Sequence, residues 1–176
     1  MADIDQLKYP VGKFMKPEII TNFQIKSWIE EIKDLPGLIE VELRGLPPQD
    51  LLKTYRPDGW TITQVIHHLA DSHMNSFIRY KLALTEEHPV IKPYLENQWG
   101  EMADNKTLEP HHSLAILTAL HIRWGYLLDH MSEADFSNGY IHPEKNRLVE
   151  LSEATALYAW HCRHHLAHIR NAKNSI

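Results

Sequence analysis

The stretch WHCRHHLAHI, Trp160 to Ile169, sets four histidines into ten residues. A neutral imidazole binds transition metals, and the ring moves protons near neutral pH. Which of these applies depends on where the rings point. A helix advances about 100° per residue. Counted from Ala154, Leu157 falls at about 300°, Tyr158 at about 40° and Ile169 at about 60°, which marks an apolar face. His161 falls at about 340°, His165 at about 20° and His168 at about 320°, inside that face. His164 is at its edge, and Arg163 points away. Burying several imidazoles without partners costs a few kcal/mol each. The stripe is therefore either solvated after all or the lining of a polar cavity, most simply a metal site. His161 and His165 are i and i+4, with Cβ atoms about 5–6 Å apart. That suits two nitrogens at about 2.0–2.1 Å from one ion.

A third protein ligand must come from elsewhere in the chain. In VIHHLADS and its flanks, Ile62, Ile66, Leu69, His73, Phe77 and Tyr80 define an inward stripe. His68 flanks it, and His67 lies about 100° further round. The periodicity leaves both histidines open. Ser72, Asn75 and Arg79 follow His68 at helical spacing, as a pocket wall or a solvated edge. Asp71 is placed to orient an imidazole or to face water. Arg79 suits a substrate carboxylate or a surface acid. His67, Met74, Ile78 and Lys81 form a second, mixed stripe, fit for an interface or for a neighbouring helix. His88, His111, His112, His130 and His142 read as solvated surface.

Four helical segments must position these groups. Phe23, Ile25, Trp28, Ile29, Ile32 and Leu35 have helical spacing, with Thr21 or Asn22 as the cap. Pro36-Gly37 kinks or breaks that helix, and the pattern resumes through Leu43. A connector with room for a short helix leads to Thr61 and Gln64, a capping box opening a helix that ends near Glu87. Residues 88–109 form a long loop, and loops of that length are usually functional or disordered. It is expected to approach the pocket mouth. A third helix carries Leu114, Leu117, Leu120, Trp124, Leu127 and Leu128 on one side. Two short strands around Pro143-Glu144-Lys145-Asn146 precede the last helix, for which Ser152 is the candidate cap. The expectation is an all-α four-helix bundle with a long crossover loop and a small β-hairpin before the last helix. Residues 1–176 read as one domain, with 1–19 an irregular N-terminal arm.

Bulk properties exclude other classes. The chain has 176 residues, 43% hydrophobic, with a formal net charge of -5 and no cluster of Lys and Arg. Nucleic-acid binding needs such a basic footprint. No apolar run reaches the ~18 residues of a membrane span. The N-terminus lacks an apolar leader, and Cys162 is the one cysteine, so a cytoplasmic location is expected. At about 80° on its helix, Cys162 reads as a packing residue and not a nucleophile.

GWTITQVIHHLADSHMNSFIRYKL together with WHCRHHLAHI resembles the DinB-like superfamily of metal-binding four-helix bundles. YPVGKF and HPEKN…LVEL narrow the resemblance to its YfiT-like branch of metal-dependent hydrolases. The similarity runs from about Tyr9 to about Ile169. It implies three ligands: the His before LAD, which is His68, and the last-helix pair His161 and His165. It also implies one divalent transition metal per chain, zinc or nickel, and a homodimer. For some relatives it implies thiol transfer with a low-molecular-weight thiol.

A three-histidine site keeps positions open for a small-molecule substrate. Two chemistries follow: metal hydroxide attacking an ester or amide, and metal thiolate attacking an electrophile. Metalloproteases carry a Glu base in H-E-x-x-H. Here Cys, Arg and His stand between His161 and His165. That gap leans toward thiol S-transfer over hydrolysis. His164, His168, Tyr158 and Asp71 are the candidate proton shuttles. The alternatives are a non-catalytic metal-binding stress-response protein and an interaction domain whose imidazoles satisfy one another.

Overall fold

The computed structural model describes residues 4–175. The first three residues of the expected arm, and Ile176, lie outside the described residues. The arm is not wholly irregular, because Ile4–Lys8 form a short helix, α1. Four long helices follow: α2 (Asn22–Leu43), α3 (Ile62–Thr85), α6 (His111–Asp129) and α7 (Leu151–Lys173). Two short ones, α4 (Glu96–Gly100) and α5 (Ala103–Thr107), lie between α3 and α6. Strands β1 (Gly139–His142) and β2 (Arg147–Glu150) pair antiparallel, Tyr140 opposite Val149.

The N-termini of α2 and α3 are capped as their local sequences require. Thr21 accepts the Gln24 N–H and the Gln24 side chain returns to the Thr21 N–H; Thr61 and Gln64 repeat the arrangement. Each box satisfies two of the helix's orphan donors. Pro36 does not break α2, which runs through it with Leu35 and Pro36 buried. Helix α3 stops at Thr85, slightly earlier than expected. At α7 the reading of Ser152 as cap fails. Glu150 holds the cap position, and the Leu151 N–H is bonded to the Asn138 carbonyl, so the helix starts straight out of the hairpin.

Helix α2 packs on α6 and α7, and α3 packs on the same two. Successive long helices α2 and α3 therefore stand diagonally, as do α6 and α7. The segment after α3 joins neighbours, and its two short helices replace the irregular loop expected there. The core between the four helices contains Ile32, Ile39, Ile66, Leu69, Leu117, Trp124 and Ile169, all fully buried or nearly so. The hairpin closes the bundle beside the C-terminal end of α3. The chain leaving α3 bonds to it through the Ile141 N–H to Pro89 O and the Ile91 N–H to Ile141 O. Gly139 is required there, because a Cβ would stand 2.4 Å from the Val149 carbonyl oxygen. Among the described residues no helix is long and apolar enough to cross a membrane.

Candidate metal centre

Helices α3 and α7 run side by side, and imidazoles from both line their contact. His68, from α3, and His161 and His165, from α7, each bring a ring nitrogen to within 4.8 Å of the others. His68 Nε2 stands 3.3 Å from His161 Nε2. Two nitrogens about 2.0–2.1 Å from a tetrahedral ion stand about 3.3 Å apart, so the spacing suits a shared metal. The residues present fit the group: three nitrogen donors, and burial that keeps them neutral. Burial, then the nearby His164, lowers the His68 pKa to about 4. Burial also holds His161 and His165 well below the usual histidine range. A neutral imidazole is the metal-binding form.

His67 is not part of this cluster. Its Nδ1 meets the Ser113 hydroxyl at 2.7 Å and its Nε2 donates to the Leu108 carbonyl at 2.9 Å. It pins α3 to the start of α6, so this end of the second α3 stripe faces a neighbouring helix. Ile78 and Lys81, further along, are exposed. Asp71 does not orient an imidazole. Its carboxylate accepts from Asn105 on α5 at 3.3 Å.

The rings of the α7 pair are oriented by other histidines, and bond direction follows from where each chain ends. A carbonyl only accepts. His121 Nδ1 lies 2.5 Å from the Ile32 carbonyl oxygen and therefore carries the proton. Its Nε2 is then an acceptor and takes the His73 Nδ1–H at 2.8 Å. His73 Nε2 in turn accepts the His161 Nδ1–H at 3.1 Å. His161 Nε2 is left as a bare lone pair facing His68. Neutrality of the relay rests on burial, which lowers His73 well below its usual value and His121 to about 4. A second chain begins on the N-terminal arm. His168 Nε2 donates to the Lys8 carbonyl at 3.2 Å, and its Nδ1 meets His165 Nδ1 at 3.4 Å. The His165 Nδ1–H is thereby committed and its Nε2 is free. His164, His165 and His168 also gather within 4.8 Å, but both His168 nitrogens are already engaged.

Aromatic rings hold the imidazoles in place. Trp60 lies against His68, Trp160 stacks on His164 at 4.5 Å and Tyr55 stacks on His168 at 3.7 Å. Sequence reasoning does not single out His121. The available signal is its place in the apolar series Leu117, His121, Trp124, Leu128, where a lone imidazole in a core stripe needs a partner.

The three nitrogens open into a cavity of about 360 Å³ between α3, α7, α4 and the hairpin. Tyr158, Ser72 and His164 line it near the imidazoles, and Arg79, Glu96, His142 and Lys145 line it elsewhere. His142, expected on the solvated surface, is thus half-buried in this cavity. The long segment after α3 reaches the cavity through Glu96. Gly100 packs it against the Trp60 ring, and its carbonyl accepts from Gln64 at 2.9 Å. Cys162 is buried away from the cavity, and burial pushes its thiol pKa up, so it is an inert packing residue. A larger cleft of about 600 Å³ between α2 and the end of α6 carries no imidazole in its lining.

The chain is similar to several known proteins. A Bacillus licheniformis protein named "Putative metal-dependent hydrolase" is 46% identical over 167 residues, 95% of each chain. "Putative metal-dependent hydrolase YfiT" of Bacillus subtilis is 44% identical, covering 93% of this chain and 92% of that one. The solved structure of YfiT, described as a probable metal-dependent hydrolase with an unusual four-helix bundle topology, superposes with a TM-score of 0.90 over 94% of both chains. A mycothiol-dependent maleylpyruvate isomerase shares the fold at 18% identity, with a TM-score of 0.65 over 82% of this chain and 60% of that one. The family model of the DinB superfamily matches residues 32–169, and the chain belongs to that superfamily.

Proposed function

We propose that residues 1–176 form one metal-binding domain in which His68, His161 and His165 hold a single divalent transition metal, zinc or nickel, and that the protein is an enzyme acting on a small molecule. The observation that carries this reading is the 3.3 Å approach of His68 Nε2 to His161 Nε2, with the third imidazole alongside, at the wall of an accessible cavity. A bound ion of this kind supplies Lewis acidity, lowering the pKa of a water or thiol that reaches it. The chain's own residues do the rest. His73 and His121 orient His161, His168 orients His165, and the Trp60 ring packs against His68.

Between hydrolysis and thiol S-transfer, the cavity favours thiol transfer. Among the described residues Glu96 is the one acid that lines it, and no carboxylate is hydrogen-bonded to the three imidazoles. Hydrolysis gains from a general base beside the attacking water. A thiol activated by the metal needs none, and the substrate thiol is then a low-molecular-weight one. A homodimer belongs to the same reading and is checked by sedimentation equilibrium.

Metal analysis of untagged protein should find about one equivalent of metal per chain. His161→Ala and His165→Ala should lose it. Turnover of thiol-plus-electrophile pairs and of simple esters is then compared with and without chelator. No stoichiometric metal, or rates indifferent to chelation, would overturn the proposal.

A further inference from the structure

The cavity carries two cations that the histidine chemistry does not use. Arg79 projects from α3, and Lys145 from the turn between β1 and β2. Neither makes an ion pair among the described residues, whereas Arg147, Arg163 and Arg170 each do. The Arg79 guanidinium makes a long bond, 3.4 Å to the Lys92 carbonyl oxygen, and lies near the Tyr140 hydroxyl. A guanidinium offers five donors in a planar fork, so donors remain for a ligand. His142 lines the same region with a buried Nδ1 that has no hydrogen-bond partner among the described residues. Glu96 is the opposing charge.

Position along α3 sets the distance. Arg79 follows His68 by eleven residues, about 16 Å of rise and within about 20° of the same face. Both side chains lean toward the helix N-terminus, the roughly 6 Å arginine further than the imidazole, which leaves roughly 10–13 Å between guanidinium and imidazole. Allowing about 4 Å for the ion contact, a spacer of a few atoms fills the gap.

We propose that Arg79, assisted by Lys145, is a substrate-anchoring subsite for a carboxylate, so that the substrate is a small acid whose reacting atom lies a few atoms from its anionic head. The inference rests on the reading that chemistry occurs at the histidine end of the same cavity. A carboxylate there takes two parallel N–H···O bonds from Arg79, a geometry lysine cannot reproduce alone.

The test titrates the protein as purified, with its metal, with 3-mercaptopropionate, its methyl ester and propionate, by calorimetry and by amide chemical shifts. The free acid should bind at least tenfold more tightly than the ester. Arg79→Gln should remove that advantage while leaving ester binding unchanged. Lys145→Gln, on an exposed turn with no fold to disturb, should reduce it by a smaller factor. Propionate should bind more weakly than the thiol acid, with the same dependence on Arg79. Acid and ester binding equally, both falling alike in Arg79→Gln, or no acid binding at all would each overturn the subsite. Propionate binding that depends on Arg79, with no gain from the thiol, would instead retain the subsite and remove the thiol reading.

Discussion

Replacing His73 tests whether imidazole relays prepare the site. His73 is fully buried, donates to His121 and accepts from His161. Leucine is close in volume and makes neither bond. His73→Leu leaves the His161 Nδ1–H and the His121 Nε2 without partners in the interior. Each unmade buried bond costs about 1–3 kcal/mol, so the metal-free protein should lose about 2–6 kcal/mol in urea unfolding. Freed of its partner, His161 can turn over or change tautomer, and zinc affinity should fall about 10–100-fold. His73→Gln is the control, because its amide N–H can donate to His121 Nε2 and its oxygen can accept from His161 Nδ1–H. It should recover most of the affinity. Competition against a chromophoric chelator measures binding, and ¹⁵N chemical shifts of the metal-free rings report the tautomers directly. A folded His73→Leu protein with wild-type zinc affinity would refute the relay. So would a glutamine variant no better than leucine, or a His161 ring protonated on Nε2.

Acid should destabilise the metal-free protein earlier than its carboxylates alone would. Burial holds His68, His121 and His164 at about 4 and His168 at about 3, below the unfolded value of about 6.5. The unfolded chain therefore binds more protons than the native one below pH about 6.5, and each such histidine removes about 1.4 kcal/mol per pH unit until its folded value is passed. Urea midpoints at pH 7.5, 6.5 and 5.5 should be level at first and then fall; a flat profile would contradict the buried neutral rings. Gly139→Ala should cost about 2 kcal/mol or more, because its Cβ meets the Val149 carbonyl, and should lower Tm by about 4–8 °C. Wild-type Tm would show that the hairpin yields at no cost. Glu153, nearly inaccessible, takes a two-pronged bond from Arg147 and a contact from Lys16 on the arm. Burial alone would raise its pKa, but these partners lower it overall. Glu153→Gln should loosen the arm and speed proteolysis within residues 4–20, while unchanged cleavage would show that the ion pair does not hold it.

Local signals are legible wherever the chemistry is local. The Thr61–Gln64 box marks the start of α3 because both partners lie within one turn. Ser152 misleads because the start of α7 is set by a tertiary bond, Leu151 N–H to Asn138 O, which no helical period in the sequence encodes. The short helices α4 and α5 are invisible for a similar reason: five residues carry no period, and what holds α4 is the Gln64–Gly100 bond and the Trp60 ring. The inward direction of the α7 histidines can be read from their angle alone. The choice between His67 and His68 cannot, because the first half of α3 is buried all round and both rings point into protein. What separates them is Ser113 and Leu108, more than forty residues away.

The excess of histidine, thirteen in 176 residues, has a physical rationale in this geometry. A ligand imidazole needs an acceptor at its second nitrogen, and the common solutions are a carboxylate or a backbone carbonyl. Here neither His161 nor His165 uses a carbonyl directly, and a carboxylate would bring a buried charge, which is costly without a partner. A second neutral histidine extends the reach by one ring. His73 and His121 carry the connection to the Ile32 carbonyl on α2, and His168 carries it to the Lys8 carbonyl on the arm. The relays behind His161 and His165 thus contain no negative charge to offset a bound cation. Such an ion would keep its full positive charge toward the cavity, which sharpens its effect on a substrate's pKa and reinforces the pull of Arg79 and Lys145 on an anion. Introducing a carboxylate by His73→Glu should therefore weaken binding of 3-mercaptopropionate even as it tightens the metal. A variant that tightened both would show that neutrality of the relay is incidental.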